Sequence, residues 1–340
     1  MNKLIKKKHF FGVDISKDTL DLALLEEATY GSFKDEKIEN SLIGFDKIIE
    51  WFENGGIKPE DCLFCMEHTG TYGILFFAWL SQMKIDYCVE PGIQIKRSQG
   101  MTRGKNDKVD ARRIADYAYT NRAKLKTFSM PSTLIIQVKQ LLTYREQTIR
   151  IRTSLKNSLK SHLQYQKVSG LKKITEQINN QIEQQDKLVD DIEKQIKEII
   201  RSDSQMKKNF EMATSVKGIG LVIGAFMLVT TNNFTSFENG RKYACYAGIA
   251  PFENTSGTSI KGRTKISHFG NKTIKTLLSN GANSASSWDP ELRAYYQRKK
   301  AEGKDHKIII NSIRCKLVNR VFAAVKRQTP YVMIYKHNFA

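Results

Sequence analysis

Asp107 and Asp110 are the two side chains of this sequence best spaced to do chemistry together. They open a stretch with a helical pattern, and residues three apart lie on one face of a helix, so both carboxylates can point at the same spot. Paired carboxylates bind hard divalent cations such as Mg²⁺. The simpler alternative is a solvated helix start, where acids are favoured and are neutralised by nearby cations. The cations available are Lys105, Lys108, Arg112 and Arg113, and of these Lys105, Arg112 and Arg113 are also predicted to contact nucleic acid.

Two further acids follow apolar strands upstream of that helix. His9–Val13 is followed by Asp14, and Asp61–Met66 is followed by Glu67. Three strands, a helix and then alternating strands and helices is the element order of an RNase H-like α/β domain. In such a sheet the first and fourth strands are neighbours, so Asp14 and Glu67 are predicted to lie side by side at the carboxyl ends of the strands. With the aspartate pair packed across the same end, four carboxylates converge, and they predict a Mg²⁺ site.

Other potential ligands near these acids are given structural interpretations. Cys62 and Cys65 have the spacing of a metal or redox pair, but both lie within an apolar strand and no second cysteine pair follows, so we interpret them as core residues. We interpret His68 as a hydrogen-bonding neighbour of Glu67. Surface or strand-face positions are expected for Asp18, Asp21 and Asp116.

The charge of the chain indicates a polyanionic partner. The 340 residues carry a formal net charge of +20 and have an isoelectric point near 9.6, and clustered Lys and Arg gain from neutralising phosphates. Nucleic acid is the expected partner. An anionic membrane surface is the alternative, but no basic amphipathic anchor stands out and no apolar run is long enough for a membrane span or a signal peptide. Five cysteines without a framework spacing indicate a reducing cytoplasm, and for a protein that binds DNA we expect a nucleoid-associated location.

After Met130-Pro131 the sequence changes to long polar helix with sparse apolar positions. These positions keep roughly heptad spacing on both sides of a break at Ser169-Gly170. A stripe this narrow does not make a domain alone, so residues 131–204 are predicted to form a coiled-coil hairpin through which the protein assembles into a dimer or tetramer. A purely intramolecular hairpin is the alternative.

Two candidate phosphate-binding segments follow. In the first, Lys217, Gly218 and Gly220 form a Gly-hydrophobic-Gly turn between two helices. Such a turn is typical of a helix-hairpin-helix element, in which small residues let backbone N–H groups approach a DNA phosphate. A tight turn without a ligand is the alternative.

The second segment is a loop rich in hydroxyl groups, glycines and cations. We interpret Ser256, beside Gly257, as a candidate nucleophile, since a serine hydroxyl flanked by cations is placed to attack a phosphate. A generic phosphate-binding loop explains the same composition, and Thr255 and Ser259 are alternative nucleophiles. The cations of this segment and of the helix after it are Lys261, Arg263, Lys265 and Lys272.

These segments together resemble the DEDD transposases of the insertion sequence one-ten family. The resemblance covers nearly the whole chain, and its strongest part is the Lys-Asn-Asp-x-x-Asp-Ala block. The matching segments are Phe11-Gly-Val-Asp14-Ile-Ser-Lys-Asp, Met66-Glu67-His-Thr-Gly-Thr-Tyr, Lys105-Asn-Asp107-Lys-Val-Asp110-Ala, and Tyr246-Ala-Gly-Ile-Ala-Pro251 with Ser256-Gly257.

The resemblance implies a fold in three parts. A RuvC-like RNase H domain would occupy residues 1–128, a coiled-coil insertion residues 129–204, and a mainly helical C-terminal transposase domain with the helix-hairpin-helix element and the serine residues 205–340. It also implies that a structured bridge RNA, paired with donor and target DNA, guides recombination.

For the site residues, the resemblance implies that Asp14, Glu67, Asp107 and Asp110 bind Mg²⁺ at the scissile phosphate. Ser256 would attack that phosphate and leave a phosphoserine link to DNA, which stores the bond energy for resealing. Two other functions stay open on the residues alone. One is a junction-resolving nuclease in which the acids activate water, and the other is a non-enzymatic nucleic-acid-binding protein whose acids only form salt bridges.

Overall fold

The computed structural model describes residues 3–68, 70–98, 106–256, 260–267 and 269–332, and for 253–256 and 260–265 the backbone only. The chain divides into two compact units, residues 1–130 and 131–340. The first unit is a mixed α/β domain and the second is helical apart from one hairpin.

A five-stranded sheet with the order β3-β2-β1-β4-β5 forms the centre of the first unit. The strands β1, β2 and β3 form an antiparallel meander, and β4 and β5 run parallel to β1. This mixed sheet agrees with the predicted RNase H-like domain, including the neighbouring first and fourth strands. The strands are His9–Ile15, Thr19–Glu26, Phe33–Glu39, Cys62–Glu67 and Asp86–Glu90.

In the described part of the first unit the α-helices are α1 (Leu42–Gly55), α2 (Ile74–Gln82), α3 (Gly92–Ser98) and α4 (Asp107–Asn121). Ser41 caps the start of α1, its hydroxyl accepting a hydrogen bond from the backbone N–H of Gly44 at 3.1 Å. The short helix α3 begins directly after Pro91, whose carbonyl accepts the backbone N–H of Gln94 at 2.8 Å.

The two faces of the sheet have different coverings. Phe11, Val13 and Phe64 belong to a core with the side chains of α1 and α2. The opposite face is covered by α4, whose Ala111, Ala115 and other small residues pack on β1 and β2. Small side chains on both elements allow a short separation between helix and sheet.

Two long helices, α5 (Thr133–Ser169) and α6 (Lys173–Ser202), open the second unit as an antiparallel hairpin. Arg145 pairs with Glu193, while Arg152, seven residues further on, pairs with Asp186, seven residues further back, as an antiparallel register requires. Gly170 ends α5 in the left-handed conformation, at φ 69°.

Six more helices and a β-hairpin form the rest of the second unit around one hydrophobic core. The separation of this region from the α5–α6 hairpin into two domains stays a prediction, since both belong to one compact unit. The elements are α7 (Ser204–Thr214), α8 (Leu221–Thr230), α9 (Gly240–Tyr246), β6 (Pro251–Ser256), β7 (Ile260–Ile266), α10 (Lys272–Trp288), α11 (Pro290–Ala301) and α12 (His306–Arg327). Within the described ranges, every helix is too short or too polar to cross a lipid bilayer.

Candidate active site

A row of acids crosses the sheet on the face covered by α4. Asp14 on β1 is paired with Asp21 on β2, and Glu67 on β4 is paired with Glu90 on β5. The parallel pairing of β1 with β4 reaches Val13 and Met66, so Asp14 and Glu67 are the next residues along these neighbouring strands. Side chains alternate between the two faces of a strand, and register partners share a face. Four acids on four adjacent strands therefore line one edge of the sheet.

The helix α4 brings the aspartate pair to the same face. Asn106 caps it, with the side-chain oxygen accepting from the backbone N–H of Lys108 at 3.1 Å, and Asp107 and Asp110 lie in its first turn. Gly12, two residues before Asp14, lets the helix approach, because a Cβ at Gly12 would lie 2.0 Å from the carbonyl oxygen of Ala111. The backbone contact at Gly12 fixes the first turn of α4 beside the end of β1.

The pKa of Asp14 is raised by burial and by the neighbouring acids. Burial is the largest cause of the rise to about 6 from the ordinary 3.8, and the carboxylates of Asp107, Asp110, Asp21 and Glu67 add to it in that order. Both causes disfavour the charged form of a carboxyl group. Asp107, Asp110 and Glu67 therefore all lie close enough to raise the pKa of the half-buried Asp14.

Two arginines of α4 are engaged by acids of the first unit. The guanidinium of Arg113 lies 2.9 Å from Oδ1 of Asp110, and that of Arg112 forms a two-pronged contact with Asp35, with 2.8 Å between Nε and Oδ1. The Asp35 contact lowers the pKa of that carboxyl. These ion pairs are the salt-bridged helix start considered as the simpler alternative, and they coexist with the cluster around Asp14.

The chemistry of the donor set fits a hard divalent cation. The cluster offers carboxylate oxygens, which Mg²⁺ and related ions prefer, and their mutual repulsion at Asp14 is what a cation relieves. Among the described residues, however, no three His, Cys, Asp or Glu side chains are arranged to hold a metal ion as they stand. The four carboxylates thus lie in one region, but they are not arranged to ligate one ion as they stand.

Two acids of the row were not singled out as site residues by sequence reasoning. Asp21 is buried at 8% exposure, so it is a strand-face acid and not a surface one, and Lys37 lies 3.2 Å from it. Residues at equal distances from the turn between β1 and β2 are register partners, so the sequence could have indicated that Asp21 lies opposite Asp14. Glu90 accepts a long hydrogen bond of 3.5 Å from the hydroxyl of Tyr117 on α4, and burial raises its pKa.

The carboxylate of Glu67 lies over Gly92 at the start of α3. A Cβ at Gly92 would lie 1.8 Å from Oε1 of Glu67, so the bare backbone of this glycine provides the space in which the carboxylate rests. His68, which follows, donates its backbone N–H to the carbonyl of Glu90 at 3.1 Å. This backbone bond continues the β4–β5 pairing past the acids.

The candidate serine lies at the end of a strand. Ser256 is the last residue of β6 and is paired with Ile260 of β7. The side chains of Ser256, Thr255, Lys261, Arg263 and Lys265 are outside the described part of the structure, as are Lys105, Gly257 and Ser259 altogether. Their chemical roles remain predictions.

The base of this β-hairpin is anchored by two glycines. A Cβ at Gly270 would lie 2.2 Å from the Cα of Gly248, and Gly248 itself has a positive φ of 65° that favours glycine. Asn271 reinforces the contact by donating its backbone N–H to the carbonyl of Tyr246 at 2.8 Å and its amide to the Tyr246 hydroxyl at 2.9 Å. The Tyr246–Pro251 motif therefore positions the hairpin that carries Ser256.

The Gly-hydrophobic-Gly turn lies between α7 and α8, as expected. Gly218 has a φ of 94°, and its Cβ would lie 2.5 Å from the carbonyl oxygen of Gly281 on α10. Lys217 and Gly220 are exposed. Lys272 is exposed at the first position of α10. The turn thus connects two helices, and both the helix-hairpin-helix element and phosphate binding by it stay predictions.

Comparison with known proteins assigns the chain to a family. Residues 11–168 match a family described as a transposase, the DEDD transposases of IS110, and residues 211–297 match the transposase IS116/IS110/IS902 family. The chain belongs to the IS110 family of transposases. The first match ends within α5 and includes all four predicted acids, and the second includes the Gly218 turn and the serine hairpin.

The relatives of this transposase include a gene-inverting protein. The pilin gene-inverting protein of Moraxella bovis is 24% identical over 332 residues, which are 95% of this chain and 98% of the relative. An uncharacterized 43.6 kDa protein of insertion element IS110 from Streptomyces coelicolor is 35% identical over 118 residues, which are 35% of this chain and 29% of the relative. The transposase is therefore an enzyme of DNA transposition or recombination.

Proposed function

We propose that this transposase cleaves and exchanges DNA strands through Asp14, Glu67, Asp107 and Asp110 together with a nucleophilic Ser256, and that a structured guide RNA selects the DNA sites. The observation that carries the proposal is the coupling of the four carboxylates at Asp14, whose pKa their charges and burial raise to about 6. The family matches and the gene-inverting relative support DNA as the substrate.

Mg²⁺ is the cofactor proposed for the acids. Asp14, Glu67, Asp107 and Asp110 would hold it, because hard carboxylate oxygens and a phosphate substrate suit this ion. When bound, the ion would supply positive charge to the attacking and leaving oxygens of a phosphoryl transfer. Since the carboxylates are near one another but not arranged as a finished three-ligand set, DNA and cation are expected to draw them together on binding.

The serine would perform the covalent step. The oxygen of the Ser256 hydroxyl forms a bond to the scissile phosphorus and loses its proton, while the bond from phosphorus to one deoxyribose oxygen breaks and that oxygen leaves as a hydroxyl. One phosphoester replaces another, so the reverse attack by a deoxyribose hydroxyl reseals a new strand without an external energy source. Cations beside the serine would bind the phosphate oxygens.

Each active site is proposed to combine two subunits. The acids and the serine belong to separate compact units joined through the start of α5, which makes sharing between subunits feasible. The α5–α6 hairpin is the proposed assembly surface, as dimer or tetramer. Its turn region exposes apolar side chains that a monomer leaves in water, among them Tyr165 at 72% and Val168 at 93% exposure.

The experiment that tests the proposal is recombination in cells that carry the gene with its native flanking DNA. Each of Asp14→Asn, Glu67→Gln, Asp107→Asn and Asp110→Asn should lower the yield at least about a hundredfold, a loss expected for removal of a metal ligand. The matched control is Asp46→Asn on the exposed side of α1, which should recombine normally. Recombination that survives in all four variants would overturn the proposed site.

Mixing subunits tests the shared site. Asp107→Asn and Ser256→Ala variants should each be inactive alone and should recover cleavage when co-expressed, since each supplies the half that the other lacks. Mixed assemblies that form and never cleave would contradict the shared arrangement. DNA cleavage that proceeds with Ser256→Ala alone would favour a nuclease that uses water.

A further inference from the structure

Trp288 is exposed to an extent unusual for a tryptophan. It ends α10 with 76% of its surface exposed. The chain has three tryptophans, and the other two pack in the core of the first unit, Trp79 at 8% exposure and Trp51 partly buried. A large apolar ring held in water suggests a partner that covers it, and what surrounds it indicates the kind of partner.

The backbone that carries Trp288 is firmly held. The next residue, Asp289, is fully buried, accepts the backbone N–H of Leu292 at 3.0 Å and forms an ion pair of 2.9 Å with Arg320. Pro290 then opens α11 with its fixed φ. The indole therefore projects from a rigid corner between two helices, and little conformational entropy is lost when it is covered.

The corner adjoins the Gly218 turn. The Nζ of Lys217 donates to the main-chain carbonyl of Trp288 at 3.5 Å. Gly218 packs on α10, where its Cβ would lie 2.5 Å from the carbonyl oxygen of Gly281 and 2.9 Å from the Cβ of Ala285. The exposed ring and the candidate phosphate-binding turn thus share one surface of the second unit.

A second cation lines a cleft beside the ring. Trp288 and Arg293 border a cleft of about 340 Å³, together with Ser287 and Gln297. In the part of the second unit that the structure describes, no carboxylate forms an ion pair with Lys217 or Arg293. Asp289 and Glu291, the acids nearest to the ring in sequence, both pair with Arg320, so Lys217 and Arg293 are left to present positive charge and hydrogen-bond donors near it.

We propose that Trp288 is a stacking platform for one unpaired nucleobase, with Lys217 and Arg293 contacting the phosphates on either side of it. This inference rests on the proposed binding of nucleic acid and adds the chemistry that this surface recognises. Aromatic rings stack on bases of any sequence, while neighbouring cations hold the backbone. The platform therefore selects unpaired over paired nucleotides. The unpaired base would come from opened DNA or from a loop of RNA.

Binding measurements without Mg²⁺ test the platform separately from catalysis. Fluorescence anisotropy would compare a labelled 20-nucleotide single strand, the matching duplex, and an RNA hairpin with an unpaired loop. Trp288→Ala should weaken binding of the single strand about tenfold, as the loss of one stacked base predicts. Trp288→Phe should keep most of the affinity, and duplex binding should change less than twofold. Ile43→Ala, which removes an equally exposed apolar side chain on α1, is the control and should bind normally.

The tryptophan emission provides a second measurement. Because the other two tryptophans are packed in the first unit, quenching of emission by the single strand should disappear in Trp288→Phe. If Trp288→Ala loses more affinity for the RNA hairpin than for the DNA single strand, the base comes from RNA. The reverse result would identify DNA as its source.

Several outcomes would overturn the platform. Equal losses for single strand and duplex, no loss with Trp288→Ala, or quenching that persists in Trp288→Phe each contradict base stacking. An altered oligomeric state with unchanged binding would show that Trp288 contacts another copy of the chain instead. The tests also separate the two proposals: recombination that survives Asp14→Asn would contradict the catalytic site, and the stacking result would stand unaffected.

Discussion

Gly12 and Ala111 bring strand and helix into direct backbone contact, with only 2.0 Å available between the Ala111 carbonyl oxygen and the place where a Cβ at Gly12 would stand. Asp14 follows Gly12 by two residues on the same face of β1, and Asp110 precedes Ala111 on α4. This contact therefore sets the separation between the acids of the sheet and the acids of the helix.

Gly12→Ala should disrupt the site without changing any acid. The added methyl group also meets the backbone nitrogen of Ala115, at 2.2 Å, so α4 must move away from β1. We expect the free energy of unfolding to fall by about 1–3 kcal/mol, as overpacking does, and recombination to fall at least tenfold. Gly55→Ala is the control, because its neighbour is the flexible side chain of Ile57. Unchanged recombination in Gly12→Ala would show that the helix position does not matter.

Asp14→Asn should stabilise the cation-free protein in a way that depends on pH. The folded pKa of about 6 exceeds the ordinary 3.8, so ionisation of Asp14 destabilises the folded state. This penalty is absent below pH 3.8 and fully present above about pH 6. At pH 8 the substitution should raise the free energy of unfolding by about 1 kcal/mol, a value discounted for solvent screening of a half-exposed carboxylate. Near pH 4 the difference should largely vanish.

Denaturant titration at the two pH values measures this effect. Adding Mg²⁺ at pH 8 should raise the thermal unfolding midpoint of the wild type, and raise it much less in Asp14→Asn, because a cation that binds the folded state stabilises it. The control, Asp46→Asn, should follow the wild type in every condition. An equal difference in the free energy of unfolding between Asp14→Asn and the wild type at pH 8 and at pH 4 would contradict the repulsion at Asp14.

Substitutions of Glu67 and Glu90 should have different effects on recombination, although the two residues are register partners. Glu67 belongs to the proposed ligand set, whereas Glu90 receives the Tyr117 hydroxyl. Glu67→Gln should abolish recombination, and Glu90→Gln should retain at least about a tenth of the wild-type yield, since an amide oxygen still accepts from Tyr117. Equal loss in the two variants would place Glu90 among the ligands.

The exposed apolar residues near the hairpin turn should control assembly. Replacing Tyr165 and Val168 together by Glu removes apolar area from the proposed contact and adds charge to it, so the complex should dissociate to a smaller species. Sedimentation velocity measures the change. Replacing Lys156 and Lys160 by Gln on the same helix is the control. Unchanged assembly in the Tyr165 and Val168 variant would show that subunits meet elsewhere or not at all.

Much of the first unit follows from local patterns in the sequence. Apolar runs predicted β1 and β4, and the parallel pairing of these strands brings Asp14 and Glu67 together because parallel neighbours end at one edge. Helix starts at Ser41 and before Asp107 were predictable, since Ser and Asn side chains cap the first turn.

Features that depend on pairing at long range were not predictable. The parallel register that sets Glu90 beside Glu67 is fixed by packing of the connecting helix and not by a turn. Arg112 binds Asp35, which lies 77 residues earlier in the chain. No local pattern indicates that Gly12 faces Ala111, because the contact needs both elements in place.

Detection of a covalent protein–DNA intermediate is the sharpest test of whether Ser256 is the nucleophile. Cells carrying the gene with its native flanking DNA would be lysed in SDS, and DNA bound covalently to the protein would be compared between wild type, Ser256→Ala, Thr255→Ala and Ser259→Ala. We expect an adduct in the wild type that disappears only in Ser256→Ala. Mass spectrometry should detect a phosphoserine at residue 256. An adduct that persists in Ser256→Ala would place the nucleophile elsewhere, and cleaved DNA without any adduct would contradict serine recombination.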